Sequence, residues 1–131
     1  MKGPRFLYDW LIKKFRDNWP CFWKAYSWLT AVFVIALFCD AASTIHFMLR
    51  AGPEIEMHPV IRCLSRALGP VAGPLFAAAG KAVGGIVLAV YLRKFAAYLF
   101  VTVSIISFWA AWYNTWGYKV YRPMILDWFV W

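Results

Sequence analysis

The fold class this sequence predicts is an all-α integral membrane protein, with three transmembrane helices preceded by an N-terminal amphipathic interfacial helix. Three observations predict it. The 131 residues are 63% hydrophobic and 15% charged, against about half apolar and a quarter charged in ordinary soluble domains. Charge is nearly absent over three long intervals: only Asp40 falls between Lys24 and Arg50, only Lys81 between Arg66 and Arg93, and nothing between Lys94 and Lys119. Each interval exceeds the roughly 20 residues that carry a helix across the hydrocarbon core. A soluble fold would have to hide three all-round apolar helices in one small core, with almost nothing left to face water.

Residues 1–26 read as the interfacial segment. Phe6, Leu7, Trp10, Leu11 and Phe15 recur at helical spacing, with Asp9, Lys13, Arg16 and Asp17 on the other side. Asn18, Trp19 and Pro20 are expected to end this helix, because proline disfavours helical geometry in the residue before it. Trp23, Tyr26 and Trp28 then mark membrane entry as an aromatic belt. The transmembrane domain covers 27–118, with spans at about 27–49, 70–92 and 95–118. Arg50-Ala51-Gly52-Pro53 stops the first span, and a short amphipathic piece at 60–68 follows Pro59 in the connection. Gly69-Pro70 opens the second span, with Pro74 in its first turns, where a missing amide donor costs least. Arg93-Lys94 makes a tight turn into the third. The tail at 119–131 is aromatic, interrupted by Pro123, and expected to lie along the interface.

Orientation follows from the positive-inside bias. Lys2, Arg5, Lys13, Lys14, Arg16, Lys24, Arg93 and Lys94 put eight cations on one side, against five on the other from Arg50, Arg62, Arg66, Lys119 and Arg122. This predicts a multi-pass membrane protein with its N-terminus cytoplasmic and its C-terminus outside. No cleavable signal peptide is expected, since the first apolar run begins late and lacks a cleavage region. The net charge of +8 invites a nucleic-acid reading, but the cations flank apolar spans, where topology accounts for them, so nucleic acid is not an expected partner. Cys21, Cys39 and Cys63 have no metal-like spacing, and their odd count leaves a free thiol.

Asp40 and Lys81 carry the most weight, because a charge near mid-membrane costs about 2.5–3.5 kcal/mol on insertion scales. At the helical rise, Asp40 lies roughly 15 Å below the outer boundary at Arg50, and Lys81 roughly 16 Å below Pro70. Their depths match on antiparallel neighbours. One reading is a buried salt bridge locking the first span to the second; the other is a transported ion, a proton relay or a catalytic pair. Ser43 and Thr44 follow Asp40 at helical spacing, with hydroxyls able to donate to the carboxylate or to a backbone carbonyl. Glu54, Glu56, His58 and His46 are the metal-type ligands near the outer side, in a spacing that also fits a solvated loop. His46 alone is the candidate for a haem or pigment. Gly73, Ala77, Gly80 and Gly84 form a small-residue stripe expected to face Asp40. Trp109, Trp112 and Trp116 line one stripe of the third span, either as membrane anchors or as a ridge for a partner or lipid. No nucleophile–base pair, phosphate loop or cofactor fingerprint is evident, and no cofactor beyond bound lipid is expected.

Asp40-Ala-Ala-Ser-Thr44, Glu56-Met-His-Pro59 and Lys81 within a small-residue span together resemble a family of small bacterial and archaeal membrane proteins, domain of unknown function 5658. Its pattern is Asp-x-x-x-Thr on one helix, Glu-x-Asn-Pro in a loop and a lone Lys on a second helix; this chain has His58 in place of the Asn. The similarity covers about residues 31–108. It implies a three-helix fold in a bacterial or archaeal cell membrane and brings no activity with it. The functional expectation is a non-enzymatic accessory subunit of a larger membrane complex, with Asp40, Ser43, Thr44, Glu56, His58 and Lys81 as an internal polar lock. The alternative is an independent ion, metal or small-molecule site on the same residues.

Overall fold

The computed structural model describes residues 4–56 and 58–117, with side chains from Tyr8 onward except that of Ile55. The aromatic tail at 119–131, with Lys119 and Arg122, lies outside the described residues. Helix α1 runs Pro4–Ala51, α2 Pro59–Leu68, α3 Ala72–Tyr91 and α4 Ala96–Trp112. Short 3-10 turns at Pro53–Ile55 and Arg93–Phe95 join them, and a π-helical turn, Tyr113–Gly117, extends α4. Three helical stretches are long and apolar enough to cross a membrane: Tyr8–Ala51, Ala72–Tyr91 and Arg93–Trp116.

The expected break at Pro20 does not occur; α1 is one helix of 48 residues with Pro20 inside it. Proline there removes the hydrogen bond to the Arg16 carbonyl, a penalty of about 3 kcal/mol in an isolated helix. Tertiary contacts on both sides offset it. Asn18 Nδ2 donates to the Val90 carbonyl at 3.2 Å, in the last turn of α3, where helix carbonyls lack intrahelical donors. Two residues after the proline, Phe22 is fully buried. Further towards the N-terminus the Tyr91 hydroxyl donates to the Leu11 carbonyl at 3.1 Å, and the Phe15 and Tyr91 rings sit 5.7 Å apart. Leu11, Phe15 and Asn18 thus all meet the last two residues of α3, so the N-terminal arm of α1 is pinned to the end of the α3–α4 hairpin.

Helix α1 is the hub: it packs along both α3 and α4, whereas α3 and α4 touch each other little. Its buried positions Phe22, Thr30, Phe33, Leu37, Ala41, Thr44 and Met48 recur at the helical period. On α3 the matching stripe is small, with Pro74, Ala78, Ala82 and Ala89 buried, and on α4 it is Ala96, Phe100, Ser104 and Ser107. Phe100 ties the core together, its ring stacked on Phe33 at 4.6 Å and edge-on to Phe22 at 6.0 Å. Amphipathic α2 buries Ile61 and Ser65 and packs on α3. The turns on either side of the connection between α1 and α3 use Gly52 and Gly69 at φ 84° and 93°, conformations that L side chains rarely adopt.

Candidate functional site

Towards the α2 end of the bundle, α1 and α3 enclose a small cleft lined by Asp40, Thr44 and Lys81, with Leu37, Ala41, Ile61, Pro74, Ala77 and Ala78 around them. Two helical periods build it. Leu37, Asp40, Ala41 and Thr44 share one face of α1, and Pro74, Ala77, Ala78 and Lys81 share one face of α3. Ile61 of α2 closes one end. Asp40 is half-buried and Lys81 exposed. Asp40 and Lys81 line the same space. The expected direct salt bridge does not form: the described ion pairs are Arg16–Asp17 and Glu54–Arg66, and Lys81 acts on Asp40 across the cleft. Free volume in the cleft is about 10 Å³, room for about one water molecule.

Behind the cleft lies a hydrogen-bonded cluster that the sequence reading missed. Asn114 Nδ2 donates to both Ser43 Oγ and Thr44 Oγ1 at 3.2 Å, joining the turn after α4 to α1. Ser43 Oγ donates to the Asp40 carbonyl at 2.8 Å, so of the two acceptors foreseen for it the backbone one is used. Thr44, having accepted from Asn114, keeps its O–H to donate into the cleft it lines. Asn114 lies in phase with the α4 positions Phe100, Ser104 and Ser107, a spacing that places it on the inward face. The available signal was a lone amide in phase with a buried stripe, at the end of an apolar span where an unsatisfied amide is costly. Replacing Asn114 by alanine is expected to lower stability by about 1 kcal/mol, within the range of interhelical polar contacts in membranes. Reversible unfolding in mixed micelles measures this, and an unchanged midpoint would remove the amide from the structural account.

Glu56 and His58 do not join the cleft. The Glu56 carboxylate accepts the His58 backbone N–H at 2.9 Å, a bond local to the loop before α2. Glu54 is engaged in a fork with Arg66, Nε donating to Oε1 at 2.8 Å and Nη2 to Oε2. The hydrogen bonds from Arg66 hold the Glu54 carboxyl below the ordinary carboxylate range, and those to Glu54 hold the guanidinium above its own. The metal reading of Glu54, Glu56, His58 and His46 is not supported. Among the described residues no three histidine, cysteine or carboxylate groups come together as a metal site, and Glu54 is turned to Arg66. His46 is exposed on α1.

The small-residue stripe is corrected in part: Ala77 lines the cleft with Asp40, and the glycines do not. Gly80 and Gly84 face open space, with nothing within 4 Å of an added Cβ. The close approaches are at Gly73, against Ser65 of α2, and at Gly85, against the Phe33 ring of α1. The face packed on α1 therefore runs through Ala78, Ala82, Gly85 and Ala89, one step round the helix from the expected one. Trp109, Trp112 and Trp116 are exposed as a stripe, with Trp109 stacked on Tyr113 at 5.6 Å and Trp112 against Trp116 at 5.5 Å.

The chain matches no protein-family model, no curated protein and no solved structure in comparisons with each.

Proposed function

We propose that this protein is a small, non-enzymatic subunit of a larger membrane complex, inserted with its N-terminus cytoplasmic and its C-terminus outside, in a bacterial or archaeal cell membrane. The observation that carries this reading is the open side of the bundle. Helices α3 and α4 both lean on α1 and leave each other largely uncovered, and Gly80 and Gly84 sit on α3 with no neighbour. Glycines without an internal contact leave room for another helix backbone to approach closely. The exposed ridge of Trp109, Trp112 and Trp116 offers aromatic surface to a neighbouring subunit or lipid. The resemblance to domain of unknown function 5658 agrees with the span count and leaves the role undefined.

Extraction of native membranes in mild detergent, native gel separation and mass spectrometry of the band holding this chain form the test. Stoichiometric co-migration with a larger assembly is expected. Migration alone or only as a homo-oligomer would overturn the reading.

A second reading is favoured by one specific feature, the unclosed Asp40–Lys81 pair around a water-sized cleft. On that reading the cleft is an independent proton or small-ion site, and Thr44 and Asn114 orient its occupant. Asp40→Asn would then abolish a transport or proton-exchange signal in proteoliposomes while leaving assembly intact.

A further inference from the structure

The cations at the N-terminal end of the fold are gathered by tertiary contacts as well as by sequence. The arm of α1 carries exposed Lys13, Lys14, Arg16 and Lys24, and the α3–α4 turn carries exposed Arg93 and Lys94. Two hydrogen bonds hold these groups to one end: Asn18 to the Val90 carbonyl and Tyr91 to the Leu11 carbonyl. The acids described at this end are Asp9 and Asp17, the latter 4.0 Å from Arg16. Six cations thus face two acids there. Around the outer connection Arg50, Arg62 and Arg66 face Glu54 and Glu56, and Arg66 is tied to Glu54.

The same arm carries a ladder of rings: Phe15 on Trp19 at 5.5 Å, Trp19 on Trp23 at 5.9 Å, and Phe22 against Tyr26 at 5.5 Å. Trp10, Trp19 and Trp23 are exposed, and the Lys14 ammonium lies 5.0 Å from the centre of the Trp10 ring. Exposed tryptophans alternating with cations are the chemistry of the headgroup level, with rings among glycerol and upper acyl groups and ammonium or guanidinium groups at phosphate. A free protein anion would use the cations and have no need of the rings.

We propose that the α1 arm and the α3–α4 turn together form a cradle for the phosphate headgroup of an anionic phospholipid. Lys14, Arg93 and Lys94 supply the charge, and Asn18 and Tyr91 position the arm so that both cation sets meet one leaflet surface. The proposal rests on the membrane reading above and not on the subunit role, so a failed search for a partner complex leaves it standing.

The test uses the full chain purified in a neutral detergent, with bound lipid counted by native mass spectrometry. Phosphatidylglycerol and phosphatidylcholine of identical acyl chains are compared, with free glycerol phosphate as a third arm. The expected result is about tenfold preference for phosphatidylglycerol, weakening as salt rises and the Debye length shrinks. Lys14→Gln, and separately Arg93→Gln with Lys94→Gln, should each reduce that preference several-fold. Because these side chains are exposed, the variants should keep wild-type helicity. Tyr91→Phe, which leaves every charge in place, should reduce the preference as well if the arm is positioned by its hydroxyl. Equal binding of the two lipids, equal competition by glycerol phosphate, or charge variants that bind like the parent would each overturn the proposal. Loss of an acidic protein partner on the same substitutions, with lipid preference unchanged, would assign the cations to a protein contact and overturn it too.

Discussion

Gly73→Ala is expected to destabilise the protein by about 2–3 kcal/mol, at the upper end of the cost of inserting one extra methyl group into a packed contact. A Cβ at position 73 would lie 2.6 Å from the Ser65 Cα, backbone nitrogen and Oγ. Two of those atoms are main chain, so relief requires α2 to move as a body. Nothing nearby has slack: Ser65 is 2% exposed, and its hydroxyl is buried without a hydrogen-bond partner. Gly85→Ala should cost less, because the atom it meets at 2.5 Å is Phe33 Cζ at the far end of a side chain, although that ring is stacked on Phe100. Gly80→Ala and Gly84→Ala should be neutral or stabilising by up to about 1 kcal/mol, as alanine favours the helix and open space receives the methyl group. Unfolding of the four variants in mixed micelles gives the order directly. Equal losses at positions 73 and 80 would mean that α2 does not pack on α3 as described.

That series also marks where reasoning from sequence stopped. Hydropathy and charge gaps located all three apolar helices to within a few residues at most ends, because the constraint acting on them, about 20 uncharged residues per crossing, is written along the chain. The amphipathic piece at 60–68 became α2 because its apolar residues recur at the helical period after Pro59, a pattern also written along the chain. Which glycines touch a neighbour is a different kind of fact. Gly73, Gly80, Gly84 and Gly85 look alike in a list of small residues, and only the rotational position of α3 against α1 and α2 separates the two in contact from the two in open space. Pro20 failed as a boundary because a local preference was outweighed by long-range contacts from Asn18 and Phe22.

The polar site was legible in its charges and illegible in its amides. Asp40 and Lys81 stand out because each is alone in an apolar interval, and counting residues to the boundary gave depths that place them in one cleft. Ser43 and Thr44 came with them through helical spacing. Asn114 sits seventy-one and seventy residues away from its two partners, and no local pattern connects it to them. Asn18 and Tyr91 escaped in the same way, each bonding to a backbone carbonyl, a partner that sequence never displays.

For Asp40 and Lys81, the expected result is unequal single variants and a compensating double. Lys81→Met removes the countercharge from a half-buried carboxylate and, on the membrane reading, leaves it alone among apolar side chains. The loss should be about 2 kcal/mol, below that of breaking a fully buried pair, because Lys81 is exposed and no direct ion pair forms. Asp40→Asn strands the lysine, but Lys81 is exposed and its four-carbon stem can carry the ammonium towards a headgroup, so this change should cost roughly half as much. The double variant places an amide and a thioether around a water-sized space and should recover most of the larger loss. The coupling between the two sites should therefore be about 2 kcal/mol in a double-mutant cycle. Simple additivity would show that each residue acts alone, and the polar lock between α1 and α3 would have to be abandoned. A larger loss for Asp40→Asn than for Lys81→Met would reverse the asymmetry that exposure predicts. It would point to an occupant held mainly by the carboxylate, favouring the small-ion reading of the cleft over the structural one.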